Sequence, residues 1–149
     1  MSSRAIAAGM DHELIDLLRT VSTGFQARMQ EQVAAEGSGL TAFQARLINL
    51  IGRHDGVSQL TLGSFTDRDK AQIARAVKEL EARGLVARTA HETDWRSKCL
   101  SLTGTGRQMH ARLNAARRAL ATEMLGGFSG EEKAALRASF EKMAAALRS

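Results

Sequence analysis

Residues 66–103, TDRDKAQIARAVKELEARGLVARTAHETDWRSKCLSLT, decide the fold. The first half has the pattern of a capped amphipathic helix. Asp69-Lys70-Ala71-Gln72 places an N-cap acid three residues before a glutamine, so the two can bond reciprocally at a helix start. Ile73, Val77 and Leu80 follow as one apolar stripe at helical spacing. Gly84 stands where a helix ends in a left-handed residue. In the second half, Val86–Ala90 and Lys98–Leu102 are predicted as two short antiparallel strands around a polar tip.

Working outward, Ser58 to Ser64 has the pattern of a short helix, and the chain turns around Phe65 to Arg68. Two helices joined by a tight turn, the second polar on its outer face, form a helix-turn-helix. Upstream, Thr41-Ala42-Phe43-Gln44 is a capping box opening a helix that carries Phe43, Leu47, Leu50 and Ile51 and stops before Asp55-Gly56. From His12 to Val33, Leu14, Leu18, Val21, Phe25, Met29 and Val33 recur in steps of three and four, which predicts one long amphipathic helix. Glu36-Gly37-Ser38-Gly39 breaks it.

Downstream, Thr103 can cap a helix lined by Met109, Leu113, Ala116, Leu120 and Met124, which Gly126-Gly127 ends. Ser129-Gly130-Glu131-Glu132 is a third capping box, and Leu136, Phe140, Met143 and Leu147 make the last stripe. The terminal helices cannot all bury their seams against so small a middle. A second copy of the chain is the simplest supplier of the missing surface, so a homodimer is expected.

The chain has 149 residues, no proline and 44% apolar residues, which suits long helices and excludes a disordered chain. Its net charge of +5 fits an anionic partner. The arginines at 107, 112, 117 and 118 have the plainer reading of a solvated helix face. Cys99 is the only cysteine, so no intrachain disulfide can form and a reducing compartment is expected. The apolar run in MSSRAIAAGM is too short for a signal peptide, and no window reaches the ~20 apolar residues of a membrane span. A soluble, cytoplasmic protein is expected.

At 100° per residue the side of the central helix opposite its stripe carries Arg68, Ala71, Arg75 and Lys78, with Gln72 and Glu79 at the edge. A major groove accepts one helix; arginine can bond guanine O6 and N7, and glutamine adenine. Lys70 stands in the first turn, where backbone N–H groups suit a phosphate. Arg88, Arg96 and Lys98 put positive charge on the hairpin. Such a ribbon can straddle phosphates and send one arginine into the minor groove. Asp94, two residues before Arg96, can brace that guanidinium.

The stretch Leu40 to Met109 resembles the multiple-antibiotic-resistance regulator (MarR) family of winged helix-turn-helix repressors. The carrying residues are Asp69-Lys70-Ala71-Gln72-Ile73-Ala74-Arg75, Leu80-Glu81-Ala82-Arg83-Gly84-Leu85-Val86, Asp94-Trp95-Arg96 and Leu102-Thr103-Gly104-Thr105-Gly106-Arg107. The flanking helices match the family's layout. The resemblance implies a mainly α fold with a small antiparallel β wing and long N- and C-terminal dimerisation helices. The parts are 1–36, 37–103 and 104–149, integrated in one domain. It implies a homodimer on a palindromic operator, weakened by a small, often phenolic or anionic, molecule held between the dimer helices and the winged part. By the family pattern Arg96 is the wing-tip arginine, Asp94 its brace, and Gln72 and Arg75 face the groove. The same guide places Met29, Phe43, Leu47 and Met109 along the ligand cleft, where Arg46 either meets a carboxylate or faces water.

Catalysis finds no footing: G-x-S-x-G, P-loop and Rossmann glycine patterns are all missing, and the acids are spread as helix-surface partners such as Glu79 with Arg83. His12, His54, His91 and His110 contain no i, i+4 pair and Cys99 belongs to no C-x-x-C, so neither metal nor cofactor is expected. Relatives that sense peroxide carry their thiol near the first helix, where this chain has none, so Cys99 is taken as a packing residue. The expected function is a dimeric, sequence-specific DNA-binding transcriptional regulator, a repressor released by an aromatic or anionic ligand. The alternatives are an effector-independent architectural or antirepressing DNA binder and a helical protein-interaction module.

Overall fold

The computed structural model describes residues 3–90 and 98–148. The chain order is α1 (Ser3–Ala35), α2 (Ala42–Arg53), β1 (Val57–Ser58), α3 (Gln59–Ser64), α4 (Lys70–Ala82), β2 (Val86–Ala90), β3 (Lys98–Leu102), α5 (Gly104–Leu125) and α6 (Gly130–Leu147). It is mainly helical with a small antiparallel sheet, the winged-helix class. The chain divides into two compact units, Met1–Arg117 and Arg118–Ser149.

Local signals set most boundaries in the first unit. Thr41 caps α2: its Oγ1 accepts from the Gln44 amide at 3.1 Å, and Gln44 Oε1 accepts from the Thr41 amide at 3.0 Å. Asp69 and Gln72 repeat the device at α4, at 2.8 and 3.2 Å. Gly84, at φ 73°, ends α4. Its N–H donates to Glu81 O at 2.9 Å and that of Leu85 to Leu80 O at 3.0 Å, so the two bonds close a Schellman motif that turns the chain into β2.

The hairpin strands fall where alternation predicts them, in the register Val86↔Leu102 to Ala90↔Lys98. The sequence pattern does not predict β1. It is two residues long, too short to alternate, and exists because Val57 pairs with Leu100 and Ser58 with Cys99, giving the order β1-β3-β2. The core beneath the sheet is built from Leu47, Ile48, Ile51, Leu62, Val77, Leu80 and Leu100, each fully buried. Burial of each is worth about 1.5–3 kcal/mol.

Two polar contacts tie this core together across the sequence. Gln44, buried in α2, donates from Nε2 to Glu79 Oε2 on α4 at 2.6 Å, so one side chain both caps α2 and ties it to α4. Arg83 donates to the Ser38 carbonyl. The expected Glu79–Arg83 pair along α4 is therefore replaced by contacts to α2 and to the loop before it, which tertiary proximity makes available.

Thr103 joins the sheet to α5. Its Oγ1 donates to Gly84 O at 2.6 Å and accepts from the Gly106 amide at 3.0 Å, while its own amide donates to Leu85 O at 3.1 Å. A Cβ added at Gly106 would stand 2.0 Å from Leu85 O. The Leu-Thr-x-x-Gly run therefore has a steric cause: threonine caps the helix and glycine lets the strand backbone lie against it.

The helix α1 starts at Ser3 rather than His12, because residues 4–8 are alanine-rich helix formers. Its apolar seam divides. Val33 is 4% exposed and packs in the core, and Phe25 and Met29 are half-buried. Leu14, Leu18 and Val21 are exposed, as are Ile6 and Met10 on the same line.

In the second unit, Ser129 caps α6 by accepting from the Glu132 amide at 3.1 Å, and Glu132 Oε1 accepts from the Ser129 amide at 3.1 Å. Glu131 and Glu132 in the first turn suit the positive end of the helix dipole. No described residue of α6 is buried, and its stripe residues Phe140, Met143 and Leu147 are exposed.

Candidate nucleic-acid interface

The outer face of α4 takes its direction from the buried one. Ile73, Ala76, Val77 and Leu80 are buried, which turns Ala71, Arg75 and Lys78 outward with Gln72 at the edge; all four are exposed, as is Lys70 at the first helical position. Helix α3, capped by Ser58 through the Thr61 amide at 3.0 Å, precedes it as the first helix of the pair. Two cations thus stand one turn apart on the exposed side of a helix whose other side is fixed in the core.

Gln72 has two possible tasks. Its Oε1 accepts from the Asp69 amide in the capping box. A bidentate contact to adenine uses both the oxygen and the nitrogen of the side chain. In this geometry the nitrogen remains for a base edge, and a bidentate contact requires the cap to open.

Arg68 lies in the turn leading into α4. Its guanidinium carbon stands 4.7 Å from the centroid of the Phe43 ring, a cation–π contact that draws it toward α2. On the hairpin, Arg88 donates from Nε to Glu81 Oε1, which ties the base of β2 to α4. Lys98 is exposed at the start of β3, opposite Ala90 in register. The expected wing residues Asp94 and Arg96 lie outside the described residues, as do Trp95 and His91.

A cavity of about 570 Å³ lies within the first unit, walled by α1, α2, the turn before α4 and α5. Met29, Phe43 and Arg46, three of the five residues expected at a ligand cleft, line it. The other two do not: Leu47, one position past Arg46 on α2, is 0% exposed, and Met109, one turn before Leu113 on α5, is 7% exposed, both packed in the core. Arg46 donates to the Phe65 carbonyl at 2.9 Å. The cavity also takes in Phe25, Arg53, Arg68 and Arg117, with Asp67 its one acid. Burial, and then the charge of Arg53, hold the Arg117 guanidinium below its usual pKa.

The expectation named neither Arg53 nor Arg117. Arg53 had a signal, since Phe43, Arg46, Leu50 and Arg53 recur in steps of three and four along α2. Arg117 had none, because its run of basic residues fits a solvated face equally well. Cys99 is half-buried on β3. Among the described residues no group of three or more His, Cys, Asp or Glu could hold a metal ion, and no helix is long and apolar enough to cross a membrane.

Residues 38–97 match the model of the MarR family. The chain is 35% identical over 78 residues to a Thauera aromatica protein assigned as the transcriptional regulatory protein for the hcr operon, covering 52% of this chain and 47% of that one. It therefore spans about half the length of that relative. Among solved structures it is similar to a MarR-family transcriptional regulator from Silicibacter pomeroyi, with a TM-score of 0.74, 29% identity, and coverage of 85% of this chain and 84% of that one. Staphylococcus aureus MepR, solved as a complex with DNA, shares the fold, with a TM-score of 0.74, 20% identity, and coverage of 88% and 94%.

Proposed function

We propose that this chain is a MarR-family regulator, a dimer that leaves a palindromic operator when a small aromatic or anionic ligand binds. It is a regulator rather than an enzyme. The observation that carries the reading is α4, the second helix of a helix-turn-helix, with one side locked in the core and Arg75 and Lys78 exposed on the other. A helix of that kind fits the major groove, where Arg75 can reach a guanine edge and Lys78 a phosphate. Lys70 and the first-turn amides suit a second phosphate. Ala71 offers a methyl to thymine. The hairpin then lies along the backbone, with Arg88 tied to Glu81 at its base, Lys98 on phosphate, and the wing arginine Arg96 assigned to the minor groove with Asp94 as its partner in the proposal.

The exposed apolar seams of α1 and α6 support the dimer. Ile6, Met10, Leu14, Leu18 and Val21 on α1 and Phe140, Met143 and Leu147 on α6 stay open to solvent in the single chain. Covering the exposed remainder of each against a second copy is worth roughly 1 kcal/mol. A two-fold dimer presents two copies of α4, so its operator is an inverted repeat with half-sites about one helical turn, ~10 bp, apart. In this reading residues 1–36 and 104–149 join the copies, 37–103 bind DNA, and the setting is the cytoplasm.

The cavity supports the ligand. Arg68 borders it and also stands in the turn that begins α4. A ligand that changes Arg68's position therefore changes the start of the groove helix, and ligand and DNA then weaken each other by the same factor.

Binding of wild-type protein, Arg75→Ala and Arg96→Ala to an inverted-repeat DNA and to a scrambled DNA, across several salt concentrations, tests the proposal. Arg75→Ala is expected to lose ~1–3 kcal/mol on the inverted repeat and little on the scrambled DNA. Arg96→Ala is expected to weaken both and to flatten the salt dependence. Equal losses for both variants on both DNAs refute this division of labour.

A further inference from the structure

We propose that Gln44 is a positioning residue for DNA reading: it holds the Glu79 carboxylate against α2 and so keeps it off Arg75, which stays open for a base edge. The proposal rests on the reading of α4 as the groove helix and adds a control of its arginine from the helix behind it.

Glu79 lies four residues after Arg75 and four before Arg83 on α4, the spacing at which opposite charges on a helix meet. It pairs with neither. Arg83 donates to the Ser38 carbonyl. Arg75 forms no ion pair or hydrogen bond among the described residues. The carboxylate turns to α2 instead, where its Oε2 accepts from Gln44 Nε2 at 2.6 Å. Arg75 and Glu79 line one recess between the start of α2 and α4, together with Gln44, Gln72 and Arg68, so carboxylate and guanidinium face a common space.

Gln44 is a fixed donor. It is 6% exposed, and its Oε1 accepts from the Thr41 amide at 3.0 Å in the capping box. That backbone donor settles which way the side-chain amide faces, with oxygen toward Thr41 and nitrogen toward Glu79. The bond from Nε2 ends on a charged acceptor, which makes it stronger than a neutral one. Glu79 itself is exposed. Without the donor, the unengaged cation one turn away is Arg75. An exposed pair of that kind is favoured by up to about fivefold, and it has to open before the arginine can donate two bonds to guanine.

Binding of the full chain to an inverted-repeat DNA and to a scrambled DNA tests the proposal. The readout is the ratio of the two affinities, because a charge added at position 44 acts on both DNAs and cancels. Gln44→Glu keeps the capping box, which glutamate also closes, and replaces the donor by a second carboxylate. It is expected to lower the ratio by about twofold to fivefold, less than Arg75→Ala does. Gln44→Met removes the donor without adding charge and is expected to lower the ratio likewise. Glu79→Gln added to Gln44→Glu is expected to restore it, since the new amide donates to the carboxylate at position 44 and forms no ion pair with Arg75. In an Arg75→Ala background neither change at position 44 is expected to lower the ratio further. An unchanged ratio in both position-44 variants, a loss that Glu79→Gln does not restore, or a loss that persists without Arg75 overturns the proposal. The last two are the results a merely distorted α2 would give. An Arg75→Ala variant with the ratio of wild type refutes the groove reading of α4 itself, and the control of Arg75 falls with it.

Discussion

Replacing Gly106 by alanine tests the junction that fixes the hairpin to α5. The new Cβ would lie 2.0 Å from Leu85 O, 3.0 Å from Leu85 C and 3.3 Å from Leu102 Cβ. Backbone cannot rotate away as a flexible side chain does, so helix and strand must part by about 1 Å. Three hydrogen bonds cross or close that junction: Thr103 N to Leu85 O at 3.1 Å, Thr103 Oγ1 to Gly84 O at 2.6 Å, and Gly106 N to Thr103 Oγ1 at 3.0 Å. Their loss costs about 1.5–4.5 kcal/mol at the usual net value. Alanine's better helix propensity returns less than about 1 kcal/mol. The net expectation is about 1–4 kcal/mol, or a melting temperature lower by about 3–15 °C. Gly104→Ala is the internal control. It lies in the same turn, has no positive φ, and an added Cβ there meets nothing nearer than the Arg107 guanidinium at 3.9 Å. That variant is expected to be neutral or up to about 1 kcal/mol more stable. Urea unfolding followed by circular dichroism, at one protein concentration for all three proteins, reads both. A Gly106→Ala variant within about 0.5 kcal/mol of wild type, or two variants that move together, refutes the steric account.

Gln44→Glu sets a carboxylate against Glu79 and is expected to cost about 1–3 kcal/mol in chemical denaturation, while adding Glu79→Gln restores most of the loss by reversing donor and acceptor. Leu18→Glu places a charge on the open seam of α1, where the side chain is 40% exposed in the single chain. It is expected to convert a dimer to a monomer in sedimentation velocity and to weaken operator binding at least tenfold, with the helical signal of the winged part retained. Arg88→Ala removes the part-buried tie to Glu81; it is expected to change unfolding free energy by about 1 kcal/mol or less and to weaken DNA binding on inverted-repeat and scrambled sequences alike in a salt titration.

How far the fold can be read from the chain follows from the range of the forces. The caps at Thr41, Asp69 and Ser129, the left-handed Gly84 and the stripe Ile73–Val77–Leu80 are each set within a turn or two of helix, and their residues announce them. The hairpin register follows from alternation within two short runs. The candidate site was legible to the same extent: Ala71, Arg75 and Lys78 are exposed because the opposite stripe must be buried, with Gln72 at the edge of that face and Lys70 exposed at the helix start. Resemblance supplied what periodicity did not, namely the ligand cleft.

Contacts between distant segments were not legible. Nothing near Gln44 indicates that its amide meets Glu79, nothing near Val57 indicates a strand that exists through Leu100, and the arginines at 107, 112, 117 and 118 do not reveal that Arg117 is the one among them to border the cavity. Leu47 and Met109 were expected on the cavity wall, but Leu47 stands one position past Arg46, where a turn of about 100° moves it to the core, and Met109 stands one turn before Leu113 on α5, where the core covers it. The sequence by itself determined where helices start and stop and which of their sides must be dry. Only the tertiary structure decided which dry sides meet one another, which remain open, and which charges face the same space, because those depend on separations through space that local bonding does not encode.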